Sequence, residues 1–245
     1  APETAIPVLP QELPDGYWDT LRHRFSLGAQ AAVIGMPLGS FSQGYTNSVM
    51  ALVPGQTEPQ RYDKHHLVPF GEFIPPLFKW FTRMMNIPLG DFNRGALGQP
   101  SIAWHQQRLA PNICYEDLFG EELATRFSEP DMAPTIFVNV SNIGWFGDSI
   151  AIDQHLQISR MRALEFERPM VRATNTGATA VIDHRGRVTH RLARVTRGVL
   201  VATVEGRQGL TAYARWSARW GLWPLWIAVL AIILLATRAR SMRAC

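Results

Sequence analysis

One uncharged apolar run near the end of the chain limits its architecture most strongly. Residues 220–236 hold seventeen residues without a charged side chain, and a helix needs about 20 apolar residues, within a range near 17 to 25, to cross a bilayer. Tryptophans crowd one end, as expected of an interfacial aromatic belt, and arginines close the other. These flanking residues are Trp216, Trp220, Trp223, Trp226, Arg238, Arg240 and Arg243. We predict one transmembrane helix and a short basic tail within residues 214–245; a buried core helix is the alternative.

The preceding residues, 1–213, carry the pattern of a layered α/β domain. Short apolar segments rich in β-branched residues alternate with one segment of helical periodicity at 153–168. The strand-like segments are 31–36, 48–53, 109–114, 135–140, 171–174, 178–182, 188–189 and 199–204. A tight turn at 184–186 joins two of them as a hairpin. The mixture predicts an α/β fold with one main core.

Composition restricts the classes of partner. Hydrophobic residues make up 47% and charged residues 18%, with a net charge of +4, which excludes a disordered chain. No dense Lys/Arg run is interleaved with aromatics, so we expect no nucleic-acid partner. The arginines gather beside the apolar run, which favours a membrane surface. The chain opens at Ala1 without a signal-peptide pattern, so we expect a piece of a longer protein.

The two cysteines indicate chemistry rather than a disulfide framework. Cys114 lies mid-chain and Cys245 is the last residue. A lone internal cysteine is a candidate nucleophile, although a buried cysteine is more often a small core residue. Glu3 and Lys64 offer the base and the positive charge that thioester chemistry requires. Each alone is weak evidence, because glutamate and lysine are usually solvated.

Sequence motifs surround these three residues over nearly the whole chain. They are PETAIP (2–7), YDKHHLVPFGEFIP (62–75), NICYEDLFG (112–120), NVSNIGWFGDS (139–149), the stretch 154–183 and GLTAYARW (209–216). On these motifs the chain resembles the nitrilase, or carbon–nitrogen hydrolase, superfamily, and within it the apolipoprotein N-acyltransferases. A soluble amidase would share the three catalytic positions but not the apolar extension after the lysine segment or the terminal helix.

The resemblance implies an α/β nitrilase-like αββα four-layer sandwich in residues 1–213, followed by one C-terminal transmembrane helix. The first strand of that fold, expected before the glutamate, is missing, as is the family's N-terminal bundle of membrane helices. The resemblance also implies a bacterial inner (cytoplasmic) membrane location, with the catalytic domain on the periplasmic side.

The resemblance implies a Glu–Lys–Cys catalytic site with three supporting residues. The catalytic residues are Glu3, Lys64 and Cys114, and the supporting residues are Glu72, Tyr115 and Glu116. The backbone N–H of Tyr115 and the Lys64 ammonium are implied as oxyanion donors. No metal or organic cofactor is implied.

Three functions from different classes stay open at this point. The first is an N-acyltransferase, which moves a fatty acyl chain from a phospholipid, through a cysteine thioester, to the N-terminal diacylglyceryl-cysteine amine of a lipoprotein. The second is a membrane-tethered amidase that hydrolyses small amides. The third is a non-catalytic membrane-anchored remnant. The acceptor, amine or water, separates the first two, and hydrophobic segments encoded upstream would argue against the third.

Three further predictions concern residues outside the catalytic set. The apolar segment 73–85 is predicted to be a mobile lid over a lipid-facing site. His65 and His66 are adjacent and point apart in an extended segment, so we expect no metal site there. His155 is predicted to be structural.

Overall fold

The computed structural model describes residues 1–56, 58–75 and 92–243. Its strands form two sheets, one of three strands in the order β1-β2-β3 and one of six in the order β4-β5-β6-β7-β8-β9. The strands are β1 (Ala32–Ser40), β2 (Gly44–Leu52), β3 (Gln60–Asp63), β4 (Ile102–Trp104), β5 (Gln107–Ile113), β6 (Ile136–Ser141), β7 (Met170–Thr174), β8 (Ala180–Ile182) and β9 (Val188–Arg191). The α-helices of the described residues are α1 (Tyr17–Ser26), α2 (Gly120–Ala124), α3 (Ala151–Phe166), α4 (Ala212–Trp220) and α5 (Trp223–Arg243).

The first sheet is antiparallel and buries both of its faces. Side chains alternate between the faces of a strand, so Met50 packs with α1 on the outer face while Val49 and Ala51 face the second sheet. The outer core includes Met36 from β1 and Phe25 from α1.

The second sheet places its parallel strands in the middle. β5, β6 and β7 run parallel, and β4, β8 and β9 are added antiparallel at the edges. Val138 of β6 faces the first sheet, whereas its neighbour Phe137 packs with Phe166 of α3 on the other side. The molecule therefore has four layers: helix, sheet, sheet and helices. The predicted α/β fold with layered packing is confirmed.

The parallel strands also decide where functional groups can gather. Carboxyl ends of parallel strands meet at one edge of a sheet. Cys114 directly follows β5, Asn142 follows β6 and Asn175 follows β7. This edge carries the candidate site.

Most predicted elements are present, and one is wrong. Residues 199–204 form no strand with any described residue. Their side chains alternate in exposure as in a strand, with Val199 and Val201 85% and 84% exposed and Val204 packed against the core between the sheets. The backbone of this segment nevertheless joins neither sheet of the described residues. The sequence pattern predicts neither helices α1 and α2 nor strands β3 and β4. The predicted lid lies outside the described residues from position 76 onward.

The C-terminal helices differ from the predicted single span. Within the residues described, no one helix is long and apolar enough to cross a bilayer. Helix α4 and the part of α5 up to Arg238 meet the length and composition requirements only as a pair, and they are bent by 74° relative to each other. Ala214 of α4 is buried in the main core, the cluster that contains Phe137 and Phe166. Helix α5 instead exposes apolar side chains such as Ile232 and Leu235, which are 65% and 66% exposed.

Candidate active site

Cys114 occupies a sharp turn between a strand and a helix. Strand β5 ends at Ile113, and Cys114 opens the 3-10 helix Cys114–Leu118 with a φ of +56°. A side chain at positive φ is uncommon and costs conformational energy, of the order of 1–3 kcal/mol. The turn lifts a free, half-buried thiol out of the sheet edge.

Glu116 ties this turn to the segment that contains Lys64. One carboxylate oxygen accepts the Ile113 N–H at 2.7 Å and the Tyr62 hydroxyl at 2.8 Å. The other accepts the backbone N–H groups of His65 and His66 at 2.7 and 3.0 Å. Burial raises the pKa of Glu116, and these hydrogen bonds oppose that rise. A single buried carboxylate thus joins the two sheets beside the thiol.

Glu3 reaches the site because its segment lies directly against β1. A Cβ on Gly35 of β1 would collide with the Pro2 carbonyl and the Glu3 Cα, so only glycine permits this approach. The backbone of Glu3 is held by Asn175, whose Nδ2 donates to the Glu3 carbonyl at 2.8 Å. Its side chain is held by Asn142, whose N–H donates to Oε2 at 2.7 Å.

Two carboxylates share one buried ammonium in the front cluster, which we define as Glu3, Asn47, Lys64 and Glu72. Lys64 Nζ lies 2.9 Å from Glu72 Oε1 and 3.6 Å from Glu3 Oε1. Asn47 Nδ2 donates to the same two oxygens at 2.7 Å each. The side chain of Lys64 is only 1% exposed. A buried ammonium of this kind is stabilised by its carboxylate partners.

The charges of this cluster act on the thiol. Burial and the negative charge of Glu3 raise the pKa of Cys114 to about 12, against the opposing effects of Lys64 and of a hydrogen bond from the Tyr115 N–H. Burial would lower the pKa of Lys64, but Glu3, Glu72 and Cys114 together raise it above its usual value. The resting site therefore holds a protonated thiol beside a charged lysine at neutral pH.

Tyr115 contributes to the site through its backbone and its ring. Its N–H lies close enough to the Cys114 thiol to lower the pKa of that thiol. Its ring centroid lies 5.6 Å from Lys64 Nζ, within the range of a cation–π contact. Its hydroxyl donates to the Leu67 carbonyl at 2.8 Å, which fixes the ring against the lysine segment.

All six residues predicted from the sequence meet in one region. Glu3, Lys64 and Glu72 are in direct contact, and Glu116 binds the backbone on both sides of the site. Cys114 and Tyr115 share the turn that the cluster acts on electrostatically. Among the described residues, no group of three His, Cys, Asp or Glu is arranged to hold a metal ion.

Sequence reasoning missed the asparagines that orient the carboxylates. Asn47 bridges Glu3 and Glu72, while Asn142 and Asn175 hold Glu3 from the second sheet. The signal available was weak: Asn47 and Asn175 lie in or next to an apolar strand, where a polar side chain needs a partner. The identity of that partner depends on tertiary contacts. Asn142 holds Glu3 through its backbone N–H, which its residue type does not indicate.

A second polar cluster lies behind the thiol, between the six-stranded sheet and α3. We call it the rear cluster: Asp117, His155, Ser159 and Arg172, all buried. Arg172 donates to Asp117 Oδ2 at 3.2 Å, and Ser159 donates to the same oxygen. His155 Nε2 lies 3.2 Å from Asp117 Oδ1. His155, for which the sequence analysis predicts a structural role, is buried in this cluster.

Comparison with known proteins places this geometry in a family. A model of the carbon–nitrogen hydrolase family matches residues 28–213. The chain belongs to the carbon–nitrogen hydrolase family. Glu3 lies before the matched residues, whereas Lys64 and Cys114 lie within them.

Named relatives of this family member are similar over nearly all of its length. It is 65% identical to the apolipoprotein N-acyltransferase of Verminephrobacter eiseniae, over 99% of this chain and 47% of that protein. It is 52% identical to the enzyme of the same name from Ralstonia nicotianae, over 87% of this chain and 41% of that protein. The chain thus spans about half the length of the curated relatives it matches.

Solved structures support the fold at low sequence identity. The carbon–nitrogen hydrolase of Helicobacter pylori has a TM-score of 0.54 at 15% identity, covering 73% of this chain and 62% of that one. Saccharomyces cerevisiae Nit3, a member of the nitrilase superfamily, has a TM-score of 0.54 at 14% identity, covering 76% and 64%. The nitrilase-like α/β fold expected from the sequence is confirmed.

Proposed function

We propose that this chain is the catalytic part of a membrane-bound apolipoprotein N-acyltransferase. The observation that carries the proposal is the buried Glu3–Lys64–Glu72 contact, whose charges act on the Cys114 thiol. The names and high identity of the relatives support the same activity. The acyl donor would be a phospholipid and the acceptor the N-terminal diacylglyceryl-cysteine of a lipoprotein.

In the first half-reaction, Cys114 would take the acyl chain. Glu3 accepts the thiol proton as the sulfur attacks the ester carbonyl of the phospholipid, and a carbon–sulfur bond forms. The Tyr115 N–H and the Lys64 ammonium stabilise the oxyanion. The carbon–oxygen ester bond then breaks, and protonated Glu3 returns the proton to the departing lysophospholipid hydroxyl.

In the second half-reaction, the lipoprotein amine would attack the thioester. Glu3 accepts a proton from the attacking amine, the same two donors stabilise the second oxyanion, and the carbon–sulfur bond breaks as the amide forms. The proton then returns to the Cys114 sulfur. Glu72 and Asn47 keep Lys64 and Glu3 in place through both steps by their shared hydrogen bonds.

We also propose that residues 214–245 anchor the domain of residues 1–213 in the bacterial inner membrane, with the domain on the periplasmic side. The support is the exposed apolar surface of α5 together with the tryptophans at its start. Trp223 and Trp226 are 73% and 64% exposed, and tryptophan is favoured at a membrane–water interface.

The test follows the acyl chain with the full-length protein in detergent micelles that contain a phospholipid with alkyne-tagged acyl chains. Wild-type protein is expected to form a hydroxylamine-sensitive adduct on Cys114. Cys114→Ala should form none, and Cys114→Ser should lose nearly all transfer, because a serine hydroxyl is far less ionised than a thiol. An adduct that persists in Cys114→Ala would refute the proposed nucleophile.

The acceptor then separates acyltransferase from amidase. Addition of a diacylglyceryl-cysteine peptide should move the tagged chain from the thioester to an amide that resists hydroxylamine. Release of free fatty acid at the same rate with and without the peptide would instead indicate a hydrolase that uses water.

A further inference from the structure

The carbonyl of Cys114 is held firmly on the side away from the front cluster. Asn139 Nδ2 donates to it at 2.8 Å, and His155 Nε2 lies 3.1 Å from it. Both side chains are buried, Asn139 completely. They reach the carbonyl from β6 and α3 respectively, so two separate elements converge on one backbone oxygen.

The hydrogen-bond partners of His155 assign its tautomer. Nε2 lies within hydrogen-bond distance of two acceptors, the Cys114 carbonyl and Asp117 Oδ1, so Nε2 must carry a proton. Nδ1 lies 3.2 Å from Nη2 of Arg172, which can only donate, so Nδ1 must be the acceptor. Arg172 and Asp117 therefore present His155 as a neutral imidazole whose N–H is directed at the Cys114 carbonyl.

Because the peptide bond is planar and trans, contacts that fix the Cys114 carbonyl also fix the direction of the Tyr115 N–H. The carbonyl of one residue and the N–H of the next point in opposite directions across the peptide plane. With the Cys114 oxygen held at the rear by Asn139 and His155, the Tyr115 N–H points to the opposite side. Rotation of this peptide would replace the oxyanion donor with a carbonyl oxygen.

We propose that His155, together with Asn139, is a positioning residue that holds the Cys114–Tyr115 peptide with its N–H directed at the reaction centre. The inference rests on the proposed acyl-transfer function and adds a residue to it that touches neither substrate nor the front cluster. The strained φ of Cys114 makes such a hold necessary, because a positive φ persists only where surrounding contacts fix it. His155 thus acts on catalysis through the backbone, and the rear cluster fixes His155.

The test compares two reactions of the same thiol in the full-length protein. Acylation from phosphatidylethanolamine with alkyne-tagged chains, in dodecyl maltoside micelles, passes through an oxyanion. Alkylation by iodoacetamide does not. His155→Leu removes the donor, and His155→Gln restores an N–H at a similar reach. Leu156→Ala, on the same helix and in the main core, is the control for lost stability alone.

His155→Leu is expected to slow acylation about 10- to 100-fold per folded molecule, somewhat less than deletion of a whole oxyanion donor, with the KM for phospholipid nearly unchanged. Alkylation should stay within about threefold of wild type, and His155→Gln should recover most of the acylation rate. Leu156→Ala should lower the melting temperature without lowering acylation per folded molecule.

Three results would overturn the inference. One is acylation by His155→Leu at the wild-type rate. Another is an equal fall in alkylation and acylation, which would mean that the thiol itself is misplaced. The third is failure of His155→Gln to recover acylation while its melting temperature matches wild type. Failure of the proposed function looks different, since wild type itself would then carry no adduct on Cys114.

Discussion

Two buried polar clusters flank Cys114, and they differ in charge balance. The front cluster places two carboxylates, Glu3 and Glu72, around the single ammonium of Lys64. The rear cluster places one carboxylate, Asp117, against one guanidinium, Arg172, with a neutral histidine between them and the backbone. The front therefore carries an excess of negative charge beside the thiol, while the rear is neutral.

This difference in charge suits the front cluster to proton transfer and the rear cluster to holding the backbone in place. A group that is to accept a proton must have a charge that its neighbours do not fully compensate, as Glu3 has at 3.6 Å from a lysine that Glu72 already contacts at 2.9 Å. A group that is to hold a backbone in place benefits from complete pairing, because unpaired buried charge is costly. The comparison predicts that changes in the front alter reaction rates, whereas changes to the Asp117–Arg172 ion pair in the rear alter stability first.

The largest expected effect is in the front cluster. Glu3→Gln should slow acyl transfer about 10²- to 10⁴-fold, the range typical for loss of a general base. The same variant should react faster with iodoacetamide at pH 8, because Glu3 raises the pKa of Cys114 and its neutralisation lowers that pKa. Acyl loading and alkylation are measured on one preparation.

A variant that transfers acyl chains more slowly but is alkylated faster has lost a base and not its structure. A misfolded or collapsed site would slow both reactions, so parallel losses would contradict the assignment of Glu3 as the base. Glu12→Gln is a matched control, since Glu12 lies nearby in sequence and its carboxylate caps the Leu9 N–H outside the site. It should leave both rates unchanged.

The sequence was sufficient for the catalytic residues and insufficient for the buried side chains that orient them. Glu3, Lys64 and Cys114 belong to motifs that resemble a known family, so the resemblance brought together residues that are more than a hundred positions apart. The strands were found because buried apolar runs such as Ile136–Ser141 have no competing helical pattern. The catalytic residues and the core strands could thus be predicted from the sequence.

The remaining features depend on long-range contacts that no local pattern encodes. Asn47 in β2 and His155 in α3 have ordinary surroundings in sequence, and their side-chain partners lie 25 to 44 and 17 to 41 positions away respectively. The segment 199–204 shows the opposite error, because its alternation predicts a strand, whereas its backbone pairs with no strand of the described residues. The pairing of strands and the hydrogen-bond partners of buried side chains are set only when the sheets assemble.

A smaller effect, mainly on stability, is expected in the rear cluster. Arg172→Met should lower the free energy of unfolding by about 3–5 kcal/mol, because it leaves the buried Asp117 carboxylate without its cation. The double variant Arg172→Met with Asp117→Asn should recover part of this loss, since it removes both charges. Urea unfolding measures both. A loss below about 1 kcal/mol in the single variant would mean that the rear cluster does not depend on its ion pair.

The smallest effect we predict concerns alkaline stability and returns to the thiol between the two clusters. Burial and Glu3 raise the pKa of Cys114 to about 12, whereas an unfolded thiol titrates near about 8.5. The folded state therefore binds this proton more tightly, so the contribution is complete below about pH 8.5 and is lost as pH rises toward 12. Cys114→Ala lacks this titration. Between about pH 8.5 and 9.5 the free energy of unfolding of wild type should fall by about 1 kcal/mol more than that of the variant, and equal falls would show that the front cluster does not disfavour the thiolate.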